Sequence, residues 1–529
     1  MAVTRPIRWL SVVLSIATAG SAAAQATPTV PPLARVYRDI ERLGALGFLD
    51  TLVLGVRPFS EREITQLLLE ARAHVGRNPD AGAWAERVIS ADLARYGVHE
   101  NRPLDAARAE AVVLASPSRP TPADQNGAID AMIDPLAANR GGRSFADGGT
   151  FGVESNHSAT LGPYLAAAIA PRFSLLGASN GSAAAQFAIQ SGELTALVAG
   201  LSIEAGRIYS VFGQSSSGGL LLSPSGPPLD MIRISNDRPW TVPIVSRLLG
   251  PMRASAFVAD LGTRQVHPHT KLVAYHLATL PHPHFELGVE VIDAMGGNGG
   301  QPATFWDRVQ DAFPIIDAIR TKSDFQFSNK LAGMDFRWRM PSWAGFELYL
   351  EGDVDDMDPR RFKSSFLEDG GYLAGVSLAC IVECGSLAVR AEYHQTGIRY
   401  YTHPDYPIDA RGLLLGDPLG PRGNGAYLTI DDDLGPRGRV SLEGAFEVRS
   451  GNLYGSTESG PNSEGFRFVQ TEHRPGEKRW RALATWAARD DARIAPRVAA
   501  GIERVTNFEF AAGRSRTNGI AQIGVAVWP

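Results

Sequence analysis

From His284 to the C-terminus, segments of alternating apolar and polar residues are joined by connections that are long and short in strict turn. Val440, Leu442, Phe446 and Val448 share one parity, and Arg439, Ser441, Glu443 and Glu447 the other. Phe346, Leu348, Leu350 and Val354 oppose Glu347, Tyr349, Glu351 and Asp353 in the same way. Leu387, Val389, Ala391 and Tyr393 oppose Ser386, Arg390 and Glu392. Successive side chains of a strand point to opposite faces, so each segment has one apolar and one polar face. The connections 293–328, 355–370, 397–423 and 450–477 are long, those at 341–344, 381–384, 434–437 and 489–493 are tight, and a medium loop at 505–517 completes the series. Short turns at one end and long loops at the other are the pattern of a barrel that crosses a membrane on its strands.

Eight further strands are expected near 150–160, 163–175, 182–190, 194–203, 207–213, 229–235, 252–261 and 270–279. With the ten that follow, the expectation is a mainly β fold, a transmembrane outer-membrane β-barrel of about 18 antiparallel strands, an even number as single-chain bacterial barrels have. Parity makes 214–228 extracellular or folded inward. It makes 236–251 periplasmic, long for a turn, with a short helix at 244–249 docking on the N-terminal helices. The chain has 20% charged residues and a net charge of −5, with no basic patch dense enough for nucleic acid. Beyond the N-terminus no apolar run reaches the roughly 18 residues of a membrane helix. That excludes nothing about a barrel, in which only every second residue faces lipid.

Arg5 and Arg8 precede the apolar run Trp9–Ala17, and Ser21–Ala26 offers A-x-A sites after Ala24 or Ala26. Residues 1–26 therefore read as a cleaved secretory signal; the alternative, an uncleaved anchor, has a short apolar core. Cys380 and Cys384 flank a tight turn and can bridge in an oxidising compartment, although so small a loop gains little stability. Two thiols alone make a poor metal set. Residues 27–100 read as a small helical bundle on the periplasmic side, with helices at 33–46, after Ser60, and at 81–96. Ser60-Glu61-Arg62-Glu63 has the form of a capping box, with Phe59 and Ile64 placed as a hydrophobic staple. The Pro-, Ala- and Gly-rich stretch 101–149 reads as a connector, and 150–529 as the barrel.

Three runs carry a family resemblance. They are Val36-Tyr37-Arg38-Asp39-Ile40-Glu41-Arg42-Leu43 with Gly55-Val56-Arg57-Pro58-Phe59-Ser60; Gly206-Arg207-Ile208-Tyr209 through Phe212-Gly213 and Gly219–Ser223; and Pro228–Ser235 with Asp237-Arg238-Pro239-Trp240. Together they resemble the capsule assembly Wzi family. The resemblance implies an outer-membrane barrel with a periplasmic bundle that binds capsular polysaccharide at the cell surface. It transfers no ligand motif position by position.

Several clusters have the composition of chemical sites. His267 and His269 are separated from His282 and His284 by a strand that rises roughly 33 Å at about 3.3 Å per residue, so the two pairs cannot share a metal. Asp353, Asp355, Asp356 and Asp358 have spaced oxygen ligands but neither the glycine nor the distal glutamate of a calcium loop; they and Asp431–Asp433 read as solvated rim. Gly177-Ala178-Ser179-Asn180-Gly181 matches a nucleophile elbow, yet falls in an expected periplasmic hairpin turn rather than on an α/β sheet. Ser323 and His394 near strand ends have no partner visible in sequence. For a polysaccharide, aromatic faces with planar polar groups are the needed chemistry. They occur at Trp306 with Asp307 and Arg308, and at Arg399, Tyr400 and Tyr401 with His403 and Asp405. Loop packing or the aromatic girdle of the membrane interface is the plainer role for the same residues.

The lumen parity carries Asp335, Arg337, Glu347, Glu351, Arg390, Glu392, Arg439 and Glu443, mixed charges that can pair and plug the interior. The expected function is non-catalytic, without cofactor or metal: a monomer in outer-membrane lipid, binding capsular or related surface polysaccharide. The rival is a porin-like channel for small solutes, with an outer-membrane hydrolase or a soluble secreted β protein behind it.

Overall fold

The computed structural model describes residues 25–97, 102–114, 121–122, 131–133, 140–143, 145–215, 219–312, 328–355, 366, 368–457, 467–489 and 492–528. The bulk of the expected signal segment, Ser323, Asp356 and Asp358 lie outside the described residues. Three helices come first: α1 Val36–Ala45, α2 Glu61–Ala73 and α3 Pro79–Tyr96. The Ser60 hydroxyl accepts from the Glu63 amide at 3.1 Å, capping α2. The reciprocal half of the expected capping box is absent, because Glu63 turns its carboxylate to Arg253 on the barrel wall instead.

The strands begin with β1 Arg102–Leu114, β2 Gly149–Leu161, β3 Leu165–Gly177, β4 Ala183–Val198, β5 Leu201–Ile208 and β6 Leu229–Asn236. Next come β7 Met252–Asp260, β8 Lys271–His282, β9 Phe285–Met295, β10 Ser328–Met340, β11 Phe346–Asp355 and β12 Gly370–Leu378. The last six are β13 Leu387–Thr396, β14 Gly423–Asp433, β15 Arg439–Arg449, β16 Glu477–Ala487, β17 Ile494–Thr506 and β18 Ser515–Val527. All eighteen pair with their neighbours as one closed antiparallel barrel, and β1 closes it by pairing β18 on one side and β2 on the other.

The expected number of strands is present, but two assignments differ and cancel. The connector expected over 101–149 contains β1, in register with β18 from Ala107↔Val527 to Leu114↔Ile520. Conversely, the three strands expected at 182–190, 194–203 and 207–213 are two, β4 and β5, joined by the two-residue turn Ala199-Gly200 with both φ angles positive. Such a turn matches the twist of a hairpin. The loop expected at 191–193 is strand, and the residue bulged from β4 is Gln190, between the pairs Pro171↔Ile189 and Ala170↔Ser191. The shift reverses the ends assigned to the first turns. The 162–164 turn lies on the bundle side, where Pro163 accepts from Ala26 at 2.8 Å. Gly177–Gly181 lies at the opposite end, where Ser179 Oγ donates to Asp147 at 2.9 Å.

Outward residues such as Ile232, Ile234, Val258, Leu277, Leu350 and Leu442 are exposed and apolar, whereas Arg233, Arg253, Glu286, Arg337 and Glu351 on the other parity are buried. The apolar belt against lipid and the charged lumen are thus both built from one alternation. The tight turns meet the bundle. Ala379 and Cys384 join the hydrophobic core of the helices, next to Trp84 and Leu46, and Cys380 and Cys384 are disulfide-bonded. Gly385 has φ +91°, and a methyl group there would strike the Trp84 ring. Gly385→Ala is therefore expected to lower stability in detergent by upward of ~1 kcal/mol. Gly444→Ala, in open space on the outer wall, should change it by less than about 0.5 kcal/mol. Urea or thermal unfolding of the two variants checks the contrast.

Candidate functional site

The lumen is filled from both ends. From the bundle, α1 sends Asp39 to Arg439, Arg38 to Asp431 at 3.2 Å, and Glu41 to Arg337 at 2.9 Å and to Arg390. Asp431, expected as solvated rim, is consequently buried. The segment after α1 rises further inside: the amides of Leu54 and Gly55 donate to Glu286 at 2.9 and 2.7 Å, and Arg339 donates to Leu52 O at 3.2 Å. From the other end, the β5–β6 connection folds inward and pairs with that segment, Val56↔Phe212 and Arg57↔Val211. Arg57 donates to Gly213 O and Ser215 O at 3.1 and 2.8 Å. Gln214 sits at the centre: its carbonyl and side-chain oxygens take two donors from Arg337, at 2.6 and 2.8 Å, and its amide nitrogen reaches Glu286 at 3.0 Å. Glu351 accepts from the amides of Ser215 and Leu220 at 2.8 and 3.1 Å.

Of the charges expected in the lumen, Asp335, Arg337, Glu347, Glu351, Glu392 and Arg439 are buried. Gln214, Arg57, Glu286 and Arg339 complete the network and escaped the sequence reading. The parity of Glu286 and Arg339 on their strands was available from the alternation, but nothing local marks the loop residues that meet them. A cavity of ≈ 520 Å³ remains on the other side of the lumen, between the segment 28–38 and the walls of β2–β4 and β16–β18.

The second layer is the β13–β14 connection, which carries Arg399, Tyr400 and Tyr401. Tyr400 and Tyr401 are buried, ring against ring at 4.2 Å. The Tyr400 hydroxyl donates to Asp353 at 3.2 Å and that of Tyr401 to Leu220 O. Arg399 is clamped by Asp369, 2.6 Å from Nε to carboxylate. These three hold the loop down on the plug: both tyrosine rings are buried, and Arg399 is half-buried against Asp369. Asp353 and Asp355, expected at a solvated rim, are buried as the acceptors of this layer, Asp355 taking the Tyr401 amide at 3.1 Å. His394 is likewise buried, 2.5 Å from Asp417.

The outer surface is where the remaining candidates lie, and the fold brings both clusters together around Tyr406. Asn329 anchors the loop by donating to Tyr406 O at 2.8 Å. The Tyr406 ring lies 5.3 Å from His267 and 5.7 Å from His403, and burial pushes its hydroxyl above the ordinary tyrosine range. His267 Nε2 is 3.9 Å from Asp405. A Cβ built at Gly300 would lie 3.0 Å from the Tyr406 hydroxyl, and one at Gly296 3.3 Å from the Arg308 guanidinium, so the β9–β10 connection runs along the same ring. On that connection a short helix, Phe305–Asp311, is fixed by a full capping box between Thr304 and Asp307. It holds Phe305 and Trp306 73% and 67% exposed, their rings 5.5 Å apart. Arg308, His403 and Asp405 thus gather around Tyr406, with His267 added by the structure, and Trp306 is exposed two residues before Arg308 on the same short helix.

Elsewhere, the described residues place Asp50, Glu70 and His74 within ligand distance of one another on the bundle. Each already has a protein partner: Arg77 on Asp50 at 2.8 Å, the Thr51 amide on Glu70 at 3.2 Å, and Phe48 O beside His74 at 3.1 Å. They brace the turn after α1.

An eighteen-stranded barrel with an apolar outer belt, a helical bundle in its periplasmic mouth and a lumen closed by buried ion pairs is an outer-membrane barrel of the plugged kind. Residues 117–520 match the family described as capsule assembly protein Wzi, and the chain belongs to that family. Among solved structures it is similar to Wzi of Escherichia coli, an outer-membrane protein involved in Group 1 capsule assembly and described as a carbohydrate-binding β-barrel. Identity is 16%, covering 95% of this chain and 100% of that one, with a TM-score of 0.66. Pseudomonas aeruginosa OprD, at 7% identity over 82% of this chain and 97% of that one, and OccD3, at 9% over 81% and 92%, give TM-scores of 0.42 and 0.44. No curated protein matches in sequence.

The plug generates a prediction about conductance. Intact protein in planar bilayers should pass no steady current. Replacing 214–228 by a short glycine turn should open a conductance, whereas removing 296–312, which lies outside the plug, should not. A steady ion-selective current through the intact protein would make it a channel.

Proposed function

We propose that the protein holds capsular or related surface polysaccharide at the outer membrane, without catalysis and as a monomer in the lipid. The observation that carries this is the occupied lumen: a barrel whose interior is committed to buried ion pairs has its working surface outside. Membership in a family named for capsule assembly, and the carbohydrate binding described for the Escherichia coli protein, support the choice of ligand. The face around Tyr406 has the chemistry a sugar polymer needs. Trp306 and Phe305 present ring faces to C–H surfaces, Arg308 and His403 present planar donors to hydroxyls, and Asp405 accepts from hydroxyls or repels an acidic repeat. Each contact is weak, and a polymer spanning several barrels gains by avidity.

The alternative, a small-solute channel, draws on the ≈ 520 Å³ cavity alone. The conductance measurement decides between them.

Trp306→Ala is expected to weaken binding of purified polysaccharide by about tenfold, the equivalent of ~1.4 kcal/mol, with thermal stability unchanged. Tyr401→Phe should do the reverse, lowering stability by about 1 kcal/mol for its lost buried hydrogen bonds while leaving affinity within twofold. Binding isotherms on purified polymer, paired with unfolding curves, separate the two effects. Unchanged affinity in Trp306→Ala would remove this face from the ligand site.

A further inference from the structure

The connection between β6 and β7, residues 237–251, is at the bundle end of the barrel, where neighbouring strands need far less chain: β8 and β9 are joined by Pro283 and His284 alone. Its excess length is ordered. Trp240 and Met252 exchange backbone hydrogen bonds at 2.7 and 2.8 Å, closing the neck. Asn236 reinforces the neck, donating to Arg238 O at 2.7 Å and accepting from the Ala254 amide at 2.6 Å. Beyond the neck a short helix, α4 Ser246–Leu249, packs on β8, with Gly250 at φ +67° against the Leu280 carbonyl. The helix expected here is present, but it does not dock on the bundle: Ile244 and Leu248 are 78% and 79% exposed, and Val245 and Trp240 are exposed beside them.

We propose that this connection is a membrane-interface anchor whose apolar tip lies among the phospholipids of the periplasmic leaflet. Three observations select lipid as the occupant. The tip continues an established lipid face, since the outward residues of the three strands beside it, Ile232 and Ile234 on β6, Val258 on β7 and Leu277 on β8, are exposed and apolar. Trp240 stands at the junction of that belt and the periplasm, the level at which tryptophan is enriched in membrane proteins. Arg238 and Arg247 are exposed on the same connection, placed for their guanidinium groups to reach phosphate while their stems stay in the apolar layer. Far too short to cross, α4 lies in the plane of the interface with its apolar side down. The proposal rests on the barrel's place in the membrane and is independent of the polysaccharide.

Spin labels at Leu248→Cys and, separately, Ile244→Cys test it; both native cysteines are in a disulfide and do not label. The protein is reconstituted in vesicles of phosphatidylethanolamine and phosphatidylglycerol, with Ile234→Cys as the lipid-facing reference and Glu86→Cys, exposed on α3, as the aqueous one. The ratio of collision with oxygen to collision with a neutral nickel chelate is expected to match position 234 and to exceed that at 86 several-fold. A ratio at both 244 and 248 equal to that at 86 would overturn the proposal and leave the patch facing water, where a periplasmic protein would be its partner. Since both labelled residues are already exposed, the variants perturb no packing.

Discussion

A charge that leaves water for the inside of this barrel must find a counter-charge or a ring of donors, and nearly everything about the interior follows from that requirement. Arg337 shows how it is met. Its guanidinium reaches Glu41 on the first helix, Glu347 on the adjacent strand and Gln214 in a loop from the opposite end. One wall residue thus ties together three parts of the chain that are remote in sequence. Such pairs return little net stability once desolvation is counted, but removing one partner strands the other at a cost of roughly 3–5 kcal/mol. The network therefore specifies which segment occupies the lumen more than it holds the barrel shut. The barrel itself is held by its closed hydrogen-bond ladder.

The plug divides the molecule into surfaces with separate tasks. Above it, the β13–β14 connection is pinned by Tyr400, Tyr401 and Arg399, and this rigid floor lets the exposed ring of Trp306 and the polar groups around Tyr406 sit at fixed spacing. Below it, helices fill one half of the lumen and leave a cavity in the other. The two tyrosines that look most like a sugar platform in the sequence instead pin the loop beneath the candidate face.

Much of this fold can be read from the alternation of side chains, because a barrel writes its two environments into successive residues. From His284 onward, parity locates every barrel strand and names several of the buried charges, though not Glu286 or Arg339. It fails where composition is neutral. The outward residues of β1 include Ala109 and Ala111, apolar enough for lipid but with none of the branched or aromatic character that marks a strand, and Pro103 in the sequence adds a turn signal. In β4 the Ser191-Gly192 pair looks like a loop and is paired strand beside a bulge at Gln190, a distinction made only by the partner strand. The candidate face was half legible. The residue types around Trp306 and His403 were apparent, but alternation describes strands and is silent about whether a loop folds in or out. Tyr400, Tyr401 and Gln214 turn inward through contacts made 47, 181 and 123 residues away.

The seam between β1 and β18 sets an order of events. The strand that completes the cylinder is the one that directly follows the helices, and its partner is the last strand in the chain. The sheet cannot shut without both, and the strand that shuts it follows the bundle helix α3 by only a few residues. Helices and closing strand must then arrive together, so the lumen is stoppered in the same step that makes it a lumen. An open tube never has to exist in the membrane, and the cell is spared a transient leak.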